Sequence, residues 1–210
     1  MIESGFLITS FVSLFVIIDP IGLAPIFIAL TQGLDARRRR KIAVRAILVA
    51  SGILALFAVL GEAVLEFVGI SMSAFRVAGG ILLFLTALDM LFERRTKRRE
   101  NTSQPDEEDD FDDPSVFPLA IPLIAGPGSI ATMILLTGEH PGALGFVSVM
   151  GVAASVLLIL FAFFLSAGLL GRALGKTGIT VVTRLLGMLL AALAVQFVLD
   201  GLRDFGFVGS

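Results

Sequence analysis

Apolar residues fall in six long stretches, broken only by isolated charges, and short polar segments lie between them. The stretches are Phe6–Leu30, Ala43–Leu60, Phe75–Leu91, Val116–Leu136, Ala143–Leu170 and Thr180–Leu199. Roughly 20 residues at about 1.5 Å each cross the hydrocarbon of a bilayer. The pattern therefore predicts six membrane-spanning helices. Composition agrees: 56% of the 210 residues are hydrophobic and 16% charged, with a mean hydropathy of +0.96. A soluble domain could not cover that much apolar surface with so little polar surface.

The N-terminal MIESG is acidic and lacks a basic segment or an A-x-A cleavage pattern. The first stretch is therefore expected to be a retained span and not a signal peptide. Basic residues set the orientation. The first loop carries Arg37–Lys41 and Arg45, the third carries the RRTKRR run at 94–99, and the fifth carries Arg172 and Lys176. The second and fourth loops hold only Glu62, Glu66, Glu139 and His140. The odd loops are expected on the cytoplasmic side of a plasma (inner) membrane, with both termini outside.

The two halves of the chain resemble each other. SGILALFAVL (51–60) laid on SVLLILFAFF (155–164) matches at five of ten positions, RVAG (76–79) falls on RLLG (184–187), and Pro20 falls on Pro127. Each half has three spans, so the second enters the membrane from the opposite side. The predicted fold is an all-α membrane protein made of two inverted-topology three-helix repeats, a recurring transporter plan. The first repeat covers residues 1–92 and the second 116–210. The linker 93–115 passes from basic to acidic and reads as a solvated cytoplasmic loop. Its DEEDDFDD run lacks the glycine turn and spacing of a calcium loop.

Two spans contain residues that a membrane helix normally excludes. The first carries VIIDPIGLAPIF (16–27) and the fourth carries PLAIPLIAGPGSIATMILL (118–136). Pro20 and Pro127 lie near the middle of their spans. A proline inside a helix removes a hydrogen bond and costs about 3 kcal/mol, and an aspartate at mid-depth costs about 3 kcal/mol more. Irregular backbone at that depth persists only against protein or a watery cavity. Helices 1 and 4 are thus expected to be broken, and such paired breaks point to a transporter's substrate site. Candidate binding residues are Asp19, Pro20, Gly22, Gly126, Pro127, Gly128, Ser129 and Thr132. Amides at a half-helix N-terminus suit a carboxylate, and a buried aspartate suits an ammonium group or a proton. The competing reading is that the prolines only kink helices, and it is the better one for Pro25, Pro118 and Pro122.

Arg76 and Arg184 open the third and sixth spans on opposite sides. They are candidate gate residues, with Asp89 or Glu62 as partners, or else arginines that snorkel to the interface. Gln196, deep in the sixth stretch, is either a further gate residue or an interhelical hydrogen bonder. The chain has no cysteine, which excludes disulfides and thiolate metal sites. His140, the single histidine, sits in the loop EHPG without nitrogen partners for a metal. No cofactor is expected beyond a coupling proton or sodium ion. No nucleic-acid partner is expected, and a homo-oligomer is open.

DPIGLAPIF and PLAIPLIAGPGSI, with six spans and a basic third loop, resemble the MarC family of bacterial and archaeal membrane proteins over nearly the whole chain. Its members are grouped with LysE-type amino-acid exporters, and some are described as neutral amino acid transporters. The resemblance implies that Asp19, Pro20, Gly22 and Pro25 carry one family motif, and Pro122, Gly126, Pro127 and Gly128 the other. The leading expectation is a secondary transporter of small solutes such as neutral amino acids, working by alternating access. No G-x-x-x-x-G-K-[ST] motif is present to supply ATP energy. The alternatives are a membrane scaffold that binds partners through its linker, or an intramembrane enzyme built on Asp19 and Asp89. The enzyme reading is weakened because those two aspartates lie at different depths.

Overall fold

The computed structural model describes residues 3–92 and 113–206. Most of the charged linker lies outside the described residues, as do the side chains of Arg172 and Lys176. The described residues form α1 (Ser4–Ile18), α2 (Pro20–Leu30), α3 (Ala36–Val68), α4 (Met72–Leu91), α5 (Ser115–Ile124), α6 (Pro127–Glu139) and α7 (Ala143–Asp204). No strand occurs among them. The run α7 is interrupted at Gly175, whose φ of 62° only glycine adopts readily. It comprises two long arms, Ala143–Leu169 and Thr177–Asp204.

Among the described residues five helical stretches are long and apolar enough to cross a membrane, α1 with α2 counting as one, and the pair α5–α6, bent by 56°, makes a sixth crossing if counted as one. The irregularity of α5 follows from its prolines. Phe117 and Ile121, which precede Pro118 and Pro122, take extended backbone angles, as crowding by the following proline ring demands.

Several polar segments expected as loops are helical instead. At 33 residues, α3 extends about 50 Å, well beyond a hydrocarbon core of roughly 30 Å. Arg37–Lys41 therefore form its first turns, and Glu62 and Glu66 its last. Asp35 starts this helix by accepting a hydrogen bond from the Arg38 amide at 2.8 Å, and Gly69, at φ 80°, ends it.

The first span is the most enclosed. Within its apolar window 61% of residues are buried, against 28–33% in the other four. In α6 every residue from Ala131 to Leu136 is also buried. The two proline-interrupted segments thus sit inside, and the remaining helices wrap them with apolar outer faces such as Leu48, Leu158 and Phe67. Broad exposed apolar surface of this kind faces lipid.

Glycines set the tightest helix contact, between α4 and the second arm of α7. A methyl group at Gly80 would lie 2.8 Å from the Ala194 carbonyl oxygen, and one at Gly201 would lie 2.9 Å from that of Ser73. At the other end Gly187 faces Met90 and the Ala87 carbonyl. The two helices therefore run antiparallel, and their backbones meet closely because these positions lack side chains.

Candidate functional site at the helix interruptions

Asp19 separates α1 from α2. Its backbone is left-handed, at φ 57° and ψ 66°, a conformation that aspartate tolerates better than most residues. Its amide donates to the Phe15 carbonyl at 2.9 Å, and its own carbonyl accepts from the Leu23 amide at 3.0 Å. The side chain, 1% exposed, accepts a hydrogen bond from the Gly22 amide at 3.0 Å. Asp19 thus ends one helix and caps the next. Pro20 follows at the first helical position, where its missing N–H removes no helix bond and its fixed φ suits the turn. Gly22 is needed because a methyl group there would lie 2.2 Å from a carboxylate oxygen of Asp19.

The second interruption follows the same local logic with different residues. Gly126 precedes α6, and Pro127 takes its first position. The Ser129 hydroxyl accepts from the Gly126 amide at 3.0 Å. It donates to the Ile124 carbonyl at 2.7 Å, with the Gly126 carbonyl also near, at 3.0 Å. A side chain at Gly126 would strike the Pro122 carbonyl oxygen at 2.5 Å. Thr132 donates to the Gly128 carbonyl at 2.8 Å. Both hydroxyls, expected to supplement the binding amides, serve the local backbone in this conformation. The amides of Gly128 and Ser129 lie in the first turn, where a helix offers them no carbonyl four residues back.

The start of α6 packs against the last turn of α1. A methyl group at Gly128 would come within 2.8 Å of Ile17 Cδ1 and 3.7 Å of Leu83. Ile17 lies two residues before Asp19. The bare backbone of Gly128 is thus what lets α6 approach α1 and α4 this closely.

The candidate gate residues separate into two ends. Arg76 pairs with Asp204 at 2.5 Å and reaches Glu139 at 3.9 Å, joining α4, α6 and α7. Neither Asp89 nor Glu62 is among these partners of Arg76. Asp89 stands 13 residues further along α4, about 20 Å away, and Glu62 belongs to the last turns of α3. The half-buried Asp89 and the exposed Arg184 share the opposite end of the α4–α7 pair. Gln196 is exposed and donates to Asp200 at 2.9 Å on its own helix, so it is neither a gate in the core nor an interhelical bonder. Asp200, one turn on, is half-buried.

Arg45 pairs with Asp113 at the end of the linker. Partial burial raises the Asp113 carboxyl, but the Ser115 hydroxyl and amide and the Arg45 charge together outweigh this and bring it below its ordinary value.

Two polar residues were missed in the apolar first stretch. Ser10 and Ser13 are fully buried in α1, and their hydroxyls meet no hydrogen-bond partner among the described residues. The signal in the sequence was only their polarity, and serines are common in membrane helices. A cleft of about 360 Å³ was also not anticipated. It lies between the end of α2, the first turn of α3 and the first arm of α7. No cluster of three or more metal-ligating side chains occurs among the described residues.

Fold and site together define an integral membrane protein of bundled helices with a proline-interrupted interior. Comparison with known proteins gives its family. The family described as "MarC family integral membrane protein" matches residues 4–205. The chain is 40% identical over 200 residues to a UPF0056 membrane protein of Archaeoglobus fulgidus, covering 95% of this chain and 93% of that one. It is 39% identical over 200 residues to the UPF0056 membrane protein YvbG of Bacillus subtilis, covering 95% of each. It is 34% identical over 200 residues to the UPF0056 inner membrane protein YhgN of Escherichia coli, covering 94% of this chain and 96% of that one. No solved structure matches. The chain belongs to the MarC family.

Proposed function

We propose that this protein is a secondary transporter of small zwitterions, neutral amino acids first among them, with its substrate site where the two interruptions meet. Two observations support the reading: the carboxylate of Asp19 is buried between α1 and α2, and the first turn of α6 packs through Gly128 against Ile17 of α1. A carboxylate attracts an ammonium group, and the positive end of a helix attracts a carboxylate. The two features therefore offer opposite charges, as the two ends of an amino acid require. A small side chain would meet Ile17 and Leu83. Asp19 also suits the binding of a coupling proton or sodium ion.

Alternating access follows from two inverted repeats, 1–92 and 116–210, rocking about this site. Two features support the repeat. Asp19–Pro20 and Gly126–Pro127 occupy the same two positions at a helix start. Both helices so started lie in the interior. The protein would reside in the plasma (inner) membrane with both termini outside. The Arg76 cluster would then close the outer end, and the basic end of α3 would face the cytoplasm.

The test is uptake of radiolabelled alanine and glycine into proteoliposomes preloaded with the unlabelled amino acid. A pH jump and a sodium substitution would be run alongside. Saturable exchange that responds to one ion supports the reading and names the coupling. Absence of exchange by well-folded protein rejects these substrates.

A further inference from the structure

We propose that the cleft between α2, α3 and α7 is a binding site for an anionic phospholipid. Its floor is apolar. The rings of Phe27 and Phe164 stack there with centroids 4.4 Å apart and planes within 10°. Its two lips differ in chemistry. On one side are Arg39 and Arg40, in the first turns of α3. On the other are Leu165, 55% exposed, and Gly168, on a span otherwise covered with apolar residues.

Arg39 is held at the rim by its Nε, which donates to the Thr31 carbonyl at 3.3 Å. No carboxylate pairs with Arg39 or Arg40 among the described residues. A guanidinium fixed through Nε still presents its two terminal nitrogens as a fork, the geometry that grips phosphate. Thr31 ends α2 and Ala36 begins α3, so the arginines sit at the level where helices leave the hydrocarbon. Leu165 borders the same opening from the hydrocarbon side. A soluble anion would use only the arginine lip, whereas a phospholipid uses both. Its phosphate meets Arg39 and Arg40, and an acyl chain follows Leu165 past the phenylalanine floor. About 360 Å³ lies at the lower end of ligand-site volumes and suits a headgroup with the first carbons of a chain. Basic clefts between membrane helices at the cytoplasmic level recognise lipid headgroups in this way. The site does not depend on the transport reading.

The experiment is native mass spectrometry of the full chain in detergent, titrated with phosphatidylglycerol and, as a neutral reference, phosphatidylcholine. Wild type is expected to retain one phosphatidylglycerol in preference to phosphatidylcholine. Each arginine removed from the site should weaken that binding about five-fold, so Arg39→Gln with Arg40→Gln should lower it roughly 25-fold. Arg37→Gln with Arg38→Gln removes equal charge from the same helix outside the cleft and should leave binding within about two-fold. Gly168→Leu tests the apolar lip without changing charge. A methyl group there meets nothing within 4 Å, so the helix tolerates it while the cleft fills, and binding should be lost. This variant decides the matter if the arginine variants do not fold. Equal loss in both arginine pairs would overturn the proposal in favour of diffuse surface attraction. Displacement of the lipid by glycerol 3-phosphate would overturn it in favour of a soluble-anion site.

Discussion

Gly22→Ala probes the geometry of the Asp19 interruption without touching the carboxylate. The new methyl group would lie 2.2 Å from Asp19 Oδ2 and 2.8 Å from Cγ, so the carboxylate must swing away from the start of α2. It then loses the 3.0 Å hydrogen bond from the residue 22 amide. A hydrogen bond to a charged group contributes about 1.5–3 kcal/mol, and the helix cap it forms is included in that figure. Replacing glycine by alanine within a helix returns about 1 kcal/mol. The net loss is about 0.5–2 kcal/mol. Gly52→Ala supplies the reference, because its methyl group meets nothing within 4 Å and the helix gain of about 1 kcal/mol should appear alone. Unfolding by sodium dodecyl sulfate in mixed micelles, followed by circular dichroism, measures both. The two variants should move in opposite directions. If Gly22→Ala is as stable as Gly52→Ala, the carboxylate does not cap α2 and the account of the interruption is wrong.

Further expectations concern the helix contacts and ion pairs. Gly80→Ala places a methyl group 2.8 Å from a backbone oxygen that cannot rotate away, so α4 and α7 must separate at a cost of about 1–3 kcal/mol, readable in the same unfolding assay. Arg76→Gln should destabilise more than Asp204→Asn, since it leaves Glu139 and Asp204 without their shared cation, whereas an exposed pair alone contributes at most about 1 kcal/mol. Equal effects would show that Glu139 does not depend on Arg76. Asp113 titrates below its ordinary value in the folded protein, so its contribution is complete above pH 3.8 and disappears as pH falls through the lowered value. Asp113→Asn should therefore melt slightly below wild type at pH 7, and the gap should close in acid. A gap that persists in acid would mean that the carboxylate charge is not its source.

Hydropathy marked the apolar spans because burial in lipid writes its demand directly into composition, but it did not mark the polar ends of α3, which are helical too. Asp19–Pro20 and Gly126–Pro127 were legible for a related reason. Aspartate or glycine followed by proline is the local chemistry of a helix start, and such a pair inside an apolar stretch marks an interruption. The partners of Arg76 were not legible. Glu139 and Asp204 lie 63 and 128 residues away in the chain, and only helix packing brings them together. Gln196 was misjudged because its depth was read and its face was not. Its side chain is exposed and bonds Asp200 one turn later on the same helix. Arg39 and Arg40 were read as a topology signal alone, because the phenylalanine floor that turns them into one lip of a cleft comes partly from α7.

On the proposed reading the Asp19 carboxylate takes part in transport beyond capping a helix. Asparagine caps helices as well as aspartate and tolerates the left-handed backbone, so Asp19→Asn removes the charge and keeps the fold. The measurement is counterflow of radiolabelled alanine in proteoliposomes holding either wild type or Asp19→Asn at matched amounts and matched melting temperatures. The account predicts saturable counterflow by wild type and its loss in Asp19→Asn. Counterflow by Asp19→Asn at the wild-type rate and with the wild-type ion dependence would contradict it.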